Sequence, residues 1–197
     1  MTQRIELFYD FRSPYSYLAF TQLLGMDVDI SLRPMQILKV MEMVGNVPTT
    51  ITCTAKGRYA REDLGRWAQR YGIALNPSDM RKNDGDACSR AVLSAVNAVE
   101  ANAITLALYR ACWSEGKTLA NTAGVLAAIS AAGIETSQIA SRLDTDEVIA
   151  QLEANTKEAA ERGVFGSPTI FVGNVLFFGN DRLDFVREEL ARQAVAA

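Results

Sequence analysis

The pattern of apolar and polar positions over residues 5–32 predicts two strands joined by a helix. Ile5, Leu7 and Tyr9 share one face of the first predicted strand, and its other face is also largely apolar, which is typical of a strand buried within a sheet. A helix is predicted over residues 14–24, and residues 28–32 alternate as a second strand. This strand–helix–strand unit is a usual beginning of an α/β fold.

The middle of the chain, from about Tyr59 to Arg162, has helical periodicity and almost no strand signal. Several of the predicted helices are followed by a glycine, which accommodates the left-handed backbone that commonly ends a helix. The predicted helices span residues 58–71, 87–99, 103–115, 121–132, 137–143 and 146–162.

The chain returns to strand patterns near its end. Residues 169–172 and 175–178 flank Gly173-Asn174, a two-residue turn typical of a hairpin, and a last helix is predicted over 182–193. The order β-α-β, helical block, β-β-α predicts an α/β, thioredoxin-like fold with a large all-helical insertion. The predicted division is into a thioredoxin-like domain, residues 1–58 and 163–197, and a helical insertion domain, residues 59–162.

Composition and charge exclude several classes of function. The chain has 197 residues and a formal net charge of −3, which argues against nucleic acid as a main partner. It contains no apolar run near the roughly 18–20 residues needed to cross a membrane. The first residues lead into a strand pattern and lack the apolar core of a signal peptide, so we expect a cytoplasmic protein.

The cysteines and the absence of histidine exclude further chemistry. With no histidine in the chain, a Ser-His or Cys-His nucleophile and a histidine-ligated metal are ruled out. Cys53, Cys88 and Cys112 are never two residues apart, so they form neither a redox pair nor a zinc pattern. We therefore expect no metal.

The segment Ser13-Pro14-Tyr15-Ser16 stands at the junction of the first strand and the first helix, where a thioredoxin-like reductase carries Cys-x-x-Cys. Serine is a favoured helix cap and proline is favoured just after it, so capping alone would explain Ser13. The cap also places a hydroxyl at the positive end of the helix dipole, where a thiolate is stabilised. Serine cannot exchange disulfides, but it can donate a hydrogen bond to the thiolate of another molecule.

Pro168 directly precedes the third predicted strand. In thioredoxin-like folds the proline at this place is cis and lies beside the Cys-x-x-Cys position. The backbone of Ser167 would then be free to pair with an extended peptide as an added strand does. The alternative is a trans proline that merely begins the strand.

Two further groups of polar residues could bind charged ends of a ligand. Asn180, Asp181 and Arg182 open the last helix, where N–H groups accept a carboxylate and Asp181 could bind an ammonium, although helix capping alone would also explain them. Asn46 and Lys56, in a long polar loop after the second strand, offer an amide and a cation for a second carboxylate, or are ordinary solvated residues.

Together these motifs resemble the kappa-class glutathione transferases and the 2-hydroxychromene-2-carboxylate isomerases of the DsbA-like thioredoxin superfamily. The resemblance follows the order of the motifs over nearly the whole chain. It rests on residues 7–18, Leu32-Arg33-Pro34, Gly45-Asn46, Lys56-Gly57, Asp63-Leu64, Arg66-Trp67, 165–168 and 179–182.

The resemblance implies a glutathione site. Ser13 would hydrogen bond to the glutathione sulfur and favour its thiolate form. The backbone of Ser167, before Pro168, would pair with the cysteinyl part of the tripeptide. Asn180 and Asp181 would hold the γ-glutamyl head group.

The same resemblance assigns residues to the other end of the tripeptide. Asn46 and Lys56 would reach the second carboxylate, and Asp63 and Arg182 match family positions near the ligand. Glutathione carries two carboxylates and one ammonium, which agrees with a site that offers two cations and carboxylate partners.

The implied activity is glutathione-dependent cis–trans isomerisation of 2-hydroxychromene-2-carboxylate, or a related aromatic-degradation intermediate, to trans-o-hydroxybenzylidenepyruvate. The alternatives are a kappa-class transferase that conjugates glutathione to electrophiles and a non-catalytic thiol-binding protein. Residues 179–182 resemble the isomerases, residues 7–14 and 32–34 are at least as similar to the transferases, and the loop 48–54 departs from both. The family also implies a small aromatic substrate and a homodimer.

Overall fold

The computed structural model describes residues 3–196, which form a mixed four-stranded sheet surrounded by ten α-helices. The strands are β1 (Gln3–Tyr9), β2 (Val28–Pro34), β3 (Thr169–Val172) and β4 (Val175–Phe178). The helices are α1 (Pro14–Leu23), α2 (Ile37–Met43), α3 (Thr49–Thr52), α4 (Thr54–Tyr71), α5 (Gly85–Leu93), α6 (Ala98–Tyr109), α7 (Thr122–Ala131), α8 (Ser137–Arg142), α9 (Asp146–Glu161) and α10 (Leu183–Ala196).

The strands lie in the order β2-β1-β3-β4. Strand β1 pairs in parallel with β2, with Ile5 opposite Ile30, and antiparallel with β3, with Leu7 opposite Ile170. Strands β3 and β4 form the predicted hairpin. The predicted β-α-β and β-β-α units are therefore confirmed, and α1 makes the crossover that a parallel pair requires.

Both faces of β1 are covered, which explains its largely apolar sequence. On one face Leu7 and Tyr9 belong to the main core, which continues into the helical region through Leu108. On the other face Phe8 packs in a smaller core with Val40 of α2. The sheet and the helical region thus share apolar contacts, while their division into two domains stays a prediction.

The segment after β2 differs from its prediction as a long polar loop. It contains α2, α3 and the first turn of α4, so Lys56 lies on a helix. Helix α2 has seven residues and is fixed by burial of Ile37 and Val40 against the sheet. A helix this short carries too few apolar positions for its period to be read from the sequence.

Two helix boundaries in the middle of the chain also differ from the prediction. Helix α5 ends at Leu93, and α6 begins after Asn97, whose side chain accepts a hydrogen bond from the Glu100 N–H at 2.9 Å. This cap begins a new helix within residues 87–99, which the sequence predicts as a single helix. After α6 a π-helical turn carries Trp113, whose indole N–H donates to the Phe11 carbonyl at 3.0 Å.

No helix in the span 3–196 is long and apolar enough to cross a membrane.

The aromatic cluster around Tyr109 yields a prediction about stability. The Tyr109 side chain is fully buried, and its ring centroid lies 4.6 Å from that of Phe11 and 5.6 Å from that of Tyr17. We expect Tyr109→Ala to lower the free energy of unfolding by about 3–5 kcal/mol, because a large cavity opens between sheet and helices. Urea unfolding followed by circular dichroism measures the change.

The control is Tyr59→Ala, since Tyr59 is 63% exposed and we expect a change within about 0.5 kcal/mol. Because one core joins the sheet to the helical region, the wild type should unfold in one transition. Two separate transitions, or equal effects of the two substitutions, would contradict a shared core.

Candidate active site

Ser13 lies at the N-terminal end of α1, as predicted. Its hydroxyl oxygen accepts a hydrogen bond from the Ser16 N–H at 3.2 Å, and Pro14 is the first residue of the helix. The same hydroxyl donates to the Ser167 carbonyl at 2.8 Å. Ser13 is therefore a helix cap, and its proton also reaches the segment before β3.

The peptide bond between Ser167 and Pro168 is cis, as the likeness to thioredoxin-like folds predicts, and the alternative of a trans proline is excluded. The Ser167 hydroxyl accepts a hydrogen bond from the Asp10 N–H at 2.9 Å and lies 2.7 Å from the Ser16 hydroxyl. Ser13, Ser16 and Ser167 thus converge at the end of the sheet. Sequence reasoning missed the Ser16 and Ser167 side chains, although Ser16 stands at the last position of the Ser-x-x-Ser motif.

A buried ion pair supports this end of the sheet, and sequence reasoning missed it as well. The Asp10 side chain is 1% exposed, and its oxygens accept hydrogen bonds from the Arg12 guanidinium at 2.9 Å and the Ile37 N–H at 2.9 Å. Burial raises the pKa of Asp10, and the Arg12 charge and backbone hydrogen bonds oppose that rise. The arrangement keeps the chain between β1 and α1 in one conformation.

Asp86 of α5 is the second partner of Arg12. The distance from the Arg12 guanidinium to the Asp86 carboxylate is 2.7 Å, and the Gln36 amide donates to that carboxylate at 2.6 Å. Burial alone would raise the pKa of Asp86, but hydrogen bonds from Arg12 and Gln36 and the Arg12 charge hold it below its usual value. The ion pair between Arg12 and Asp86 therefore connects the helical region to the loop that contains Ser13.

The segment containing Asn180, Asp181 and Arg182 forms a 3-10 turn before α10. The Gly179 N–H donates to the Pro168 carbonyl at 3.0 Å, which joins this segment to the Ser167 segment. Asn180 is 3% exposed, and its side-chain nitrogen has no hydrogen-bond partner among residues 3–196. Asp181 forms an ion pair with Arg182.

A small cavity adjoins this turn. It has a volume of about 90 Å³ and is lined by Asn180 and Asp181 on one side and by Trp67, Arg70 and Tyr71 of α4 on the other. Trp67 and Tyr71 lie four residues apart on α4 and pack together with ring centroids 5.3 Å apart. Their side chains also line one wall of the cavity.

Asp63 is connected to the first turn of α1. The Tyr15 hydroxyl lies 3.0 Å from the Asp63 carboxylate and 3.2 Å from the Ala60 carbonyl, and it can donate its single proton to one of them. Burial and the hydrogen bond to Asp63 raise the pKa of Tyr15, so the phenol stays protonated at neutral pH. Asp63 of α4 is thus joined to the first turn of α1 through the Tyr15 side chain.

Asn46 and Lys56 occupy different environments. The Asn46 amide donates to the Phe165 carbonyl at 2.7 Å, which holds the loop after α2 against the segment that leads to Ser167. Lys56 is exposed on the first turn of α4 and makes no hydrogen bond or ion pair with any residue in the described span 3–196. The structure brings Asn46 to the Ser167 segment and leaves Lys56 on the surface of α4.

The sheet order, the helix that begins at Ser13 and the proline segment beside it define a thioredoxin-like protein. A family model described as a DSBA-like thioredoxin domain matches residues 4–191. The chain belongs to this family.

Two relatives and one solved structure are similar to this chain over nearly its whole length. The 2-hydroxychromene-2-carboxylate isomerase of Pseudomonas putida is 32% identical, over 95% of this chain and 94% of its own. Human glutathione S-transferase kappa 1 is 29% identical, over 98% of this chain and 93% of its own. A solved 2-hydroxychromene-2-carboxylate isomerase superposes with a TM-score of 0.86 at 28% identity, over 98% of this chain and 96% of the other.

The contact between Asp86 and Arg12 yields a prediction about pH. A carboxylate whose pKa is lowered by folding stabilises the native state above its unfolded pKa, and this contribution is lost as the pH falls through the lower, folded pKa. We expect Asp86→Asn to lower the free energy of unfolding at pH 7 by about 1–3 kcal/mol. The difference from wild type should shrink once the pH falls below the ordinary value of 3.8.

Urea unfolding at several pH values measures this, with Glu62→Gln as control. Glu62 pairs with Arg66 on the surface of α4, where both side chains are more than half exposed. Such a pair contributes about 0–1 kcal/mol. A loss in Asp86→Asn that does not depend on pH would contradict the role of the charge.

Proposed function

We propose that this protein is a glutathione-dependent cis–trans isomerase that acts on 2-hydroxychromene-2-carboxylate or a closely related aromatic compound. One observation carries the proposal. The Ser13 hydroxyl lies at the N-terminal end of α1 and points to the Ser167 carbonyl, in a motif whose two cysteine positions are both serine. This place suits a thiol that is brought by another molecule.

The residues of the proposed site fit glutathione in charge and in hydrogen-bonding capacity. Asn180 has a buried side-chain nitrogen without a partner among the described residues, beside the Asp181 carboxylate. The Asn46 amide has a second hydrogen after its bond to Phe165, and Lys56 carries a cation with no counterion in the described chain. These groups suit two carboxylates and one ammonium.

When bound, glutathione would supply a thiolate nucleophile for reversible addition to a conjugated carbon of the substrate. The hemiketal C–O bond would break to give the phenol and the ketone, the former double bond would rotate as a single bond, and elimination of the thiolate would restore the double bond in the trans form. The Ser13 hydroxyl donates a hydrogen bond to the sulfur, and the N-terminal end of α1 favours its negative charge. The backbone of Ser167 pairs with the peptide. Asn180 and Asp181 hold the amino-acid head group, while Asn46 and Lys56 hold the far carboxylate.

Asp63 and Arg182 complete the proposed site by positioning other residues and take no part in the reaction itself. Asp63 orients Tyr15 beside Ser13, and Arg182 balances the charge of Asp181. We extend the proposal to a homodimer that acts in the cytoplasm. Light scattering of the purified protein tests the dimer.

A kappa-class transferase is the second candidate. It is favoured by the human relative, whose name states glutathione transfer and which aligns over nearly the whole chain. The isomerase is preferred because the Gly-Asn-Asp-Arg segment at 179–182 resembles that class and the structure with a TM-score of 0.86 is an isomerase.

An absorbance assay with purified protein distinguishes these functions. We expect 2-hydroxychromene-2-carboxylate to isomerise rapidly with glutathione, and only at the uncatalysed rate without it, because the chain itself provides no thiol in the Ser-x-x-Ser motif. Mass spectrometry of the product should give an unchanged mass.

Other outcomes point elsewhere. A product heavier by one glutathione would identify a transferase. Binding of glutathione by calorimetry, with no turnover across a panel of electrophiles, would favour a non-catalytic thiol-binding protein. Equal rates with and without glutathione would overturn the mechanism.

Ser13→Ala tests the residue at the centre of the proposal. We expect kcat to fall about 10- to 100-fold, because a hydrogen bond to a charged group is lost, while the Kd for glutathione changes little. The pKa of the bound thiol, followed by thiolate absorbance, should rise. Ser13→Thr is the control, since it keeps both the hydroxyl and a helix cap. Full activity in Ser13→Ala would leave Ser13 as a helix cap alone.

A further inference from the structure

Ser167 is held by two different kinds of contact. Its carbonyl oxygen accepts the Ser13 hydroxyl at 2.8 Å, on the side where the proposed ligand binds. Its side-chain oxygen accepts the Asp10 N–H at 2.9 Å and lies 2.7 Å from the Ser16 hydroxyl, on the buried side. The contact between Ser13 and the Ser167 carbonyl is accessible to a ligand. The contact between Ser16 and the Ser167 hydroxyl is not, because Ser16 is fully buried.

The Ser13 hydroxyl has one proton, and it cannot be donated to two acceptors with good geometry in both. In the structure this proton goes to the Ser167 carbonyl. To donate to a bound thiolate, Ser13 must turn the proton towards the sulfur and release that carbonyl. Ser167 then loses one of its contacts at the moment when its backbone is needed by the peptide.

We propose that Ser16 is a positioning residue whose hydrogen bond to the Ser167 side chain keeps the Ser167 backbone in place while Ser13 changes partner. This role rests on the proposed use of glutathione. Ser16 itself touches no ligand, because its side chain faces the core beneath α1. Whichever of the two hydroxyls donates, the 2.7 Å contact persists when the Ser13 proton turns away.

This role separates the two serines of the motif. Ser13 acts on the sulfur, so its loss changes the thiol pKa and the reaction rate. Ser16 acts on the backbone that receives the peptide, so its loss changes affinity. A merely structural serine would lower stability and move neither quantity.

Ser16→Ala is the test, and Ser94→Ala is the matched control. Ser94 is also fully buried, and its hydroxyl donates to the Arg90 carbonyl at 2.9 Å in the helical region. We expect Ser16→Ala to raise the Kd and KM for glutathione about five- to tenfold, the effect of one lost hydrogen bond. Its kcat at saturation and the pKa of the bound thiol should match wild type, and Ser94→Ala should bind normally.

Isothermal titration calorimetry and steady-state kinetics supply these numbers. Should Ser16→Ala fail to fold, Ser167→Ala removes the contact with Ser16 from the other side, together with the acceptor of the Asp10 N–H, and it should raise Kd at least as much. Equal affinities in Ser16→Ala, Ser94→Ala and the wild type would overturn this role and leave the proposed function standing. No binding of glutathione by the wild type would overturn the proposed function, and this role with it.

Discussion

The buried carboxylate of Asp10 is the constraint on which the rest of the site depends. A buried charge is stable only when it is paired and hydrogen bonded, so its partners must be in place. Those partners are Arg12, next to the first helix, and the Ile37 N–H at the start of α2. Arg12 in turn holds Asp86 of α5. The Asp10 carboxylate therefore links the end of the sheet to the start of α1 and the start of α2, and through Arg12 to α5 in the helical region.

The backbone of Asp10 also positions Ser13 and Ser167 through two hydrogen bonds. Its carbonyl accepts the Ser13 N–H at 3.0 Å, and its N–H donates to the Ser167 hydroxyl at 2.9 Å. The residue directly after β1 thus contacts the start of α1 and the segment before β3. A site built on such fixed elements holds its hydrogen-bond donors in place before a ligand arrives, which is the condition for effective stabilisation of charge.

The sequence predicted the parts of the fold and site that depend on local patterns. The apolar pattern predicted β1, the two-residue turn Gly173-Asn174 predicted the hairpin, and capping chemistry placed Ser13 at the start of a helix. Contacts between residues far apart in the chain could not be predicted from local patterns. Arg12 and Asp86 are 74 residues apart, and Ser16 and Ser167 are 151 residues apart. The sequence alone gives a charged residue no partner, so Arg12 and Asp86 are expected at the surface. Helix α2 is not predicted for a different reason, since its seven residues carry too few apolar positions to show a helical period.

Replacement of both cysteines of a thioredoxin-like motif by serine changes the chemistry of each position separately. Ser13 is partly exposed at the end of a helix dipole, where a hydroxyl can stabilise a thiolate but cannot attack a disulfide. Ser16 is fully buried, where a thiol would hydrogen bond weakly and a hydroxyl binds Ser167 at 2.7 Å. The loss of redox chemistry at the first position is thus accompanied by a stronger structural contact at the second. A site with these two properties is suited to hold a thiol that it does not itself possess.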